Sequence, residues 1–234
     1  MAVSKAKNIT KNVDMSDAAG EMPTFKPAKA VLEPTKLLNL DLRTVTVHLE
    51  GVTPFISHAW DPKNLIKMQE KQAGAASKGR EKRDPEADYE AAFYKLPDES
   101  YGIKCGAFKM AAVTAVTSLG KEYTKVGAKQ AFFILRTKEG GELTKIHYPK
   151  DCPPFMRTDT VTVGMGGTDL RYRPEFPVWG VKLDIQYNAR AISQDQLLNL
   201  INLGGFSVGV GEWRPERSGD FGRFRVVTKF SWEK

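Results

Sequence analysis

Two segments alternate apolar and polar residues strictly enough to dictate β-strands, and they lie far apart in the chain: residues 40–50 (LDLRTVTVHLE) and residues 178–189 (VWGVKLDIQYNA). A period of two puts Val45, Val47 and Leu49 on one face of the first strand and Leu42, Thr44, Thr46 and His48 on the other. A sheet with one apolar face needs a layer to cover it. Residues 106–119 (GAFKMAAVTAVTSL) supply helix formers, with Phe108, Ala111, Ala112, Ala115, Val116 and Leu119 spaced by three and four, and Gly120 as a stop. A second helix is predicted from Gln194 to Leu203, capped by Ser193 and ended by Gly204 and Gly205. Residues 131–137 (AFFILRT) read as a short strand, and KEGGE before LTKIHY predicts a hairpin between them. The chain ends in a short strand, a loop rich in glycine and arginine, and a closing strand over residues 222–231. Strand, helix, strand, strand or hairpin, strand, helix, strand is an α+β order. It approximates the βαββαβ core of ferredoxin-like and RNA-recognition-like folds, with two helices on one sheet face and the other free to bind.

Three stretches fall outside that core. Residues 1–38 are polar, contain Pro23, Pro27 and Pro34, and show no period, which predicts a flexible N-terminal arm and leaves 39–234 as a single domain. A long insertion spans residues 60–100. It starts with Lys63, Lys67 and Lys71 at helical spacing, continues through the mobile-looking GAASKGREKR, and ends in an acidic patch of Asp84, Glu86, Asp88, Glu90, Asp98 and Glu99. Charge balance within it leaves three readings open: closure on itself, closure on a neighbouring subunit, or a solvated excursion. Residues 150–177 hold several prolines and glycines around one alternating piece, 158–163, and predict a protruding β-hairpin.

Charge narrows the partner. The net charge is +7, and residues 100–150 carry nine basic residues (Lys104, Lys109, Lys121, Lys125, Lys129, Arg136, Lys138, Lys145, Lys150) against Glu122, Glu139 and Glu142. Clustered cations displace the counterions of a phosphate backbone whatever its base sequence, although a solvated helix face and strand edge would look the same. No apolar run reaches the roughly 18–20 residues that cross a bilayer, and the first residues lack a secretory apolar segment, so no membrane partner and a cytoplasmic location are expected. Cys105 and Cys152 fit neither zinc spacing nor a disulfide framework and read as buried small hydrophobes, so no metal site is expected. His48, His58 and His147 stand without a GxSxG elbow or a thiol-protease signature, and VGMGGTD and VGVGEW do not join a strand to a helix as phosphate-cradling loops do. The expectation is therefore a non-enzymatic chain with no catalytic residue and no cofactor.

The densest local feature is residues 204–225, GGFSVGVGEWRPERSGDFGRFR. Its glycines allow a ligand or another chain to approach the backbone, Arg214, Arg217, Arg223 and Arg225 can hold phosphates, and Trp213 and Phe221 can stack on bases. The competing reading is a glycine turn with core aromatics. The stretch Phe221-Gly222-Arg223-Phe224 resembles the GfGR-type ending of the RAMP superfamily, the RNA-binding proteins that include backbone subunits of CRISPR effector complexes. Residues 101–110 (YGIKCGAFKM) resemble the same family's approach to its first helix, with Lys109 matching a helix lysine, and the 150–177 section resembles the backbone family's thumb hairpin. EWRPERSGD is longer and more acidic than a bare glycine-arginine loop, and the helix lacks the arginine often found after that lysine. The resemblance implies nucleic-acid contacts at Lys109, Gly222 and Arg223. In general character the chain also looks like a bacteriophage-encoded relative.

Together these readings predict a binder of single-stranded nucleic acid, RNA favoured, that assembles side by side into a homo-oligomeric filament. Lys104 and Lys109 with the Arg214, Arg217, Arg223 and Arg225 cluster would hold phosphates, Trp213 and Phe221 would stack bases, and Arg157, Arg171 and Arg173 on the hairpin would reach an adjacent subunit or separate groups of bases. The alternatives are a phage single-stranded-DNA-binding and annealing protein, a RAMP-type endoribonuclease, and a virion assembly protein. All require the cations near the first helix and those of the closing turn to meet on one groove.

Overall fold

A computed structural model describes residues 40–60, 62–74, 83–119, 124–136, 141–164 and 166–233. The predicted arm and most of GAASKGREKR lie outside them. In chain order the elements are β1 (Leu42–Gly51), β2 (Phe55–Ile56), α1 (Pro62–Gln72), α2 (Pro85–Ala91), β3 (Tyr94–Lys95), β4 (Tyr101–Lys104), and α3 (Cys105–Ala115), which tightens into a 3₁₀ turn at Val116–Leu119. They continue with α4 (Lys125–Ala131), β5 (Phe132–Ile134), β6 (Leu143–His147), β7 (Phe155–Val163), β8 (Gly167–Phe176), β9 (Gly180–Asn188), α5 (Gln194–Ser207), a 3₁₀ turn at Pro215–Arg217, and β10 (Phe224–Val227).

The class is α+β. The main sheet runs β10-β1-β9-β6-β4-β3, with β5 also on β9, and its pairs are antiparallel. The alternation read from the sequence sets its register: Val45 faces Ile185, Val47 faces Leu183 and Leu49 faces Val181. Those apolar pairs join Phe108, Ala111 and Ala112 of α3 and Leu197, Leu200 and Ile201 of α5 in one core. Residues 150–177 contain a hairpin, β7 with β8, which forms a second sheet with β2. The insertion closes on the chain itself: Phe93 is buried, Asp84 caps α2 through the Glu86 and Ala87 amides, and Arg83 pairs with Asp88 of α2 and Asp169 of β8.

Four expectations are corrected. The second helix does not stop at Gly204 but runs on to Ser207. The glycine is there for a crossing: a Cβ at Gly204 would lie 2.7 Å from the backbone nitrogen of Ala112, so only a bare Cα lets α5 sit this close to α3. The stretch after it turns back toward β1 rather than forming a strand. β5 and β6 do not make a hairpin with each other; β5 takes the Ile185–Tyr187 end of β9 and β6 the Gly180–Val181 end, because apolar partners on β9 outweigh the local turn signal. Helix α4, capped by Thr124 over the Gly127 amide, lies where no helix was predicted.

The fourth correction matters most for binding. The second face of the sheet is free only in part, because residues 228–233 fold back over its His48–His147 end, while Thr44, Thr46 and Asp184 stay exposed. Phe230, 1% exposed, packs between the His48 and His147 rings at centroid distances of 5.4 and 5.5 Å, beneath the Lys182 ammonium. The carboxylate of Glu50, itself buried, accepts the Ser231 amide at 2.7 Å and pairs with Arg225 at 3.1 Å. His48 donates from Nδ1 to the Thr228 carbonyl at 2.9 Å, since a carbonyl can only accept.

The α3–α5 crossing gives a test in which two effects oppose. Gly204→Ala should gain about 1 kcal/mol of helix propensity. Overlap with the Ala112 backbone should cost about 1–3 kcal/mol, as overpacking does. We expect a net loss, read as a lower denaturation midpoint; a midpoint raised by the alanine would show that the helices are free to move apart.

Candidate nucleic-acid interface

The hairpin arginines are spoken for. Because residues two apart share a face of a strand, and because β7 and β8 pair Arg157 with Arg173 and Asp159 with Arg171, their charged side chains meet one another. Arg157 pairs with Asp159 at 2.6 Å and Glu175 at 2.9 Å, and its guanidinium lies 4.6 Å over the Phe221 ring. Arg171 pairs with Asp169 at 3.1 Å. Arg173, with a side chain 7% exposed, has Asp159 as its counter-ion at 3.6 Å. A buried guanidinium such as that of Arg173 needs a partner of this kind to offset desolvation, and the ion pairs tie all three arginines to their own hairpin.

The glycine-arginine loop is also largely occupied by its own chain. Its backbone is stitched to the segment after β1: the Gly222 amide donates to the Pro54 carbonyl at 2.7 Å, Glu212 to Ile56 at 3.2 Å, and Arg223 to the Thr53 hydroxyl at 3.0 Å. Gly222 has φ of +67°, and a Cβ on it would stand 1.7 Å from the Val210 carbonyl oxygen, so its bare backbone serves this closure and not the approach of a ligand. Phe221 lies under Arg157. Arg214 is held by Glu216 at 2.7 Å and by the Gly211 carbonyl at 3.1 Å, and Arg225 by Glu50. Trp213 remains partly open to solvent and carries φ of +53°, a left-handed conformation that costs a bulky residue energy.

Four predicted cations have no carboxylate partner among the described residues: Lys104, Lys109, Arg217 and Arg223. Three of them sit on rings. The Lys109 ammonium is 3.9 Å from the Phe133 centroid, Lys104 is 5.2 Å from Tyr94, and the Arg223 guanidinium is 4.9 Å from Phe206. Phe133 is 54% exposed and Phe206 65%, so these pairs face solvent. Burial against the rings pushes the Lys109 ammonium below its ordinary value. Phe133, Phe206 and Tyr94 carried no local sequence signal for this role.

The groove expected to join both clusters takes a different form. A depression of about 350 Å³ between α3 and residues 208–217 is lined on the helix side by Ala107, Met110, Ala111 and Thr114, and on the loop side by Arg214, Glu216 and Arg217. Lys109 stands roughly 200° round the helix from Ala107 at about 100° per residue, on the Phe133 side. Only Arg217 lines the depression as an uncompensated cation among the described residues. The two clusters therefore occupy different sides of α3.

The remaining candidates are tied into structure. His48 and His147 pack on Phe230, and burial, with help from Lys182, pushes the His147 imidazole down. His58 donates from Nδ1 to Glu212 at 3.1 Å. Cys105 is buried, which raises its thiol, Cys152 is half-buried, and both are free. Among the described residues no group of His, Cys, Asp and Glu has the arrangement to hold a metal, and no helix is long and apolar enough to cross a membrane.

The His58 hydrogen bond, aided by Arg173 and Arg214 and opposed by burial, holds the Glu212 carboxyl below its ordinary 4.5. A depressed folded value means stability that is present above 4.5 and lost as the pH falls through the folded value. Wild type should therefore lose more of its denaturant midpoint than Glu212→Gln between about pH 6 and about pH 3. Parallel curves for the two proteins would show that the pair contributes nothing to stability.

No protein-family model matches the chain, and no curated protein does. Among solved structures, the crystal structure of Cmr6 from Pyrococcus furiosus aligns with 81% of this chain and 100% of its own, at 9% sequence identity and a TM-score of 0.41. A likeness at that score carries no argument about fold or function.

Proposed function

We propose that this chain is a non-enzymatic binder of single-stranded nucleic acid, built on a ferredoxin-like core of the RAMP type. The strand order β10-β1-β9, with β5 and β6 sharing the far edge of β9, supports the core assignment, since it is the order that a βαββαβ chain makes when its two helices cover one face. The observation that carries the function is the seating of Lys104, Lys109 and Arg223 on aromatic rings instead of carboxylates. A cation on a ring keeps its charge available to a phosphate, and an exposed ring beside it offers a π-face to an unpaired base.

Phosphate contact falls to two separate surfaces in place of the single groove expected from the sequence: Lys104 and Lys109, with Lys125 and Lys129 of the adjoining α4, form the first, and Arg217 and Arg223 near the loop the second. Base stacking falls to Phe133, Phe206 and Trp213. The hairpin arginines, Arg214, Arg225, Phe221 and Gly222 are assigned to the scaffold. The preference for RNA rests on the resemblance of residues 101–110 and 221–224 to the RAMP motifs. Side-by-side assembly follows from edges: the outer edges of β7 and β10 have no strand partner among the described residues, and a head-to-tail contact that does not close makes a filament.

Affinity for unstructured RNA and DNA oligonucleotides, measured by fluorescence anisotropy across a salt series, tests this reading. Binding should weaken as salt rises, and Lys104→Ala and Lys109→Ala should each reduce the slope of log affinity against log salt by about 1. Arg225→Ala, whose charge Glu50 already balances, should leave the slope unchanged. Affinity indifferent to salt, or equal effects from Lys109→Ala and Arg225→Ala, would refute the proposal.

A further inference from the structure

The C-terminal fold-back over one end of the sheet's second face also builds a cleft beside it. The cleft has a volume of about 600 Å³ and lies between Trp232, the β6 residues Lys145 and His147, Tyr148, and Lys150 in the turn that follows. That volume is within the range of small-molecule sites, about 300–1,000 Å³. From these side chains we infer that the cleft is a separate subsite for one nucleotide, its base stacked on the Trp232 indole and its phosphate at Lys150 and Lys145. The ligand class rests on the nucleic-acid reading above; the cleft itself does not.

Trp232 is the platform. Its ring is parallel to Phe230 within 10°, at a centroid distance of 4.9 Å. Phe230 stacks on one face of the indole and does not itself line the cleft, whereas Trp232 does. Phe230 is in turn clamped by His48 and His147, and Ser231 between the two aromatics is bonded to Glu50. An aromatic ring held this way has little rotamer freedom left to lose when a base stacks on it.

The wall is equally fixed. Tyr148 belongs to an aromatic cluster in which Tyr101 stacks on Phe93 at 4.1 Å and both tyrosines meet Phe176. Cations and carboxylates share the rim. Lys145 is bonded to Asp98 at 3.0 Å, an acid that Ser100 and Lys145 hold down at about 2, and Glu233 faces Lys182 at 3.8 Å. Asp151 also lines the cleft. Lys150 has no ion-pair partner among the described residues, so it is the cation left to meet a phosphate. A mixed rim of this kind suits one phosphate group better than a continuous backbone.

Isothermal titration with adenosine 5′-monophosphate, adenosine and inorganic phosphate tests the site. We expect the nucleotide to bind with Kd of about 0.1–1 mM, adenosine more weakly, and phosphate alone not measurably. Trp232→Ala should weaken nucleotide binding about tenfold, and Trp232→Phe less, because a ring remains. Lys150→Ala lies in an exposed turn and should weaken the nucleotide while sparing adenosine, which keeps the test alive if Trp232→Ala disturbs the fold-back. Lys104→Ala/Lys109→Ala should leave nucleotide binding intact. That result together with oligonucleotide binding insensitive to the same double variant would sustain the cleft and remove the larger reading. No nucleotide binding, binding unchanged by both Trp232→Ala and Lys150→Ala, or binding lost in the double lysine variant would overturn the cleft.

Discussion

The fold hangs on the pairing of β1 with β9. Nine residues of each strand run opposite one another, from Leu42 with Asn188 to Glu50 with Gly180, and the rest of the main sheet builds outward from this pair, β10 on β1 and β5 and β6 on β9. Its alternation decides both faces at once. Val47, Leu49, Val181 and Leu183 turn one side into a surface that only α3 and α5 can cover, and His48 with Lys182 makes the other polar enough to hold the fold-back of residues 228–233. Since such a pair joins residues more than a hundred positions apart, its closure entropy has to be recovered by burial. The near-complete burial of Leu49, Val181 and Ile185 shows where that recovery comes from.

Positive charge on this chain divides into two populations with different physics. Arginines that point into packed structure must be neutralised, and Arg157 and Arg173 are met by Asp159 on the same sheet face, while the exposed Arg225 in turn neutralises the buried Glu50. The Arg173–Asp159 contact at 3.6 Å is charge compensation without a hydrogen bond, and the Arg173 Nε and Asp159 Oδ2 atoms have no hydrogen-bond partner among the described residues. The second population rests on rings. A ring offers a cation only about 0.5–1 kcal/mol at an exposed site, too little to hold it against an incoming phosphate. The net charge of +7 thus says little about where free positive charge lies, and among the described residues the ring-seated lysines and Arg223 are cations without a carboxylate partner.

Features governed by near neighbours were legible in the sequence. Strand periods located β1 and β9. Composition and spacing located α3. Ser193 located the start of α5, where the structure has a full capping box with Gln196. Features governed by distant partners were not. Gly204 reads as a helix end, yet its role is fixed by Ala112, and KEGGE reads as a hairpin turn, yet β5 pairs with β9 and β6 lies between β9 and β4. The hairpin arginines lie between these cases. Arg157 with Asp159, and Arg171 with Arg173 and Glu175, stand two apart, and once the hairpin register is drawn their mutual neutralisation can be read off. For Lys109 nothing local points to Phe133, because strand and helix meet only after β5 has found β9.

The same reasoning explains why one end of the sheet's second face is covered. The closing strand was expected to extend to residue 231, which would have left His48, Lys182 and His147 exposed to a ligand. Glu50 prevents it. Buried at the end of β1, its carboxylate has to be satisfied, and the Arg225 guanidinium alone leaves one oxygen unmet; the Ser231 amide supplies the second bond only if the chain reverses after β10. The reversal drives Phe230 onto the two histidines and brings Trp232 into a parallel stack outside it. One buried carboxylate therefore covers one end of a polar surface and sets an aromatic-walled cleft beside it. On the α3 side of the molecule, by contrast, the Lys109 ammonium sits over the exposed Phe133 ring.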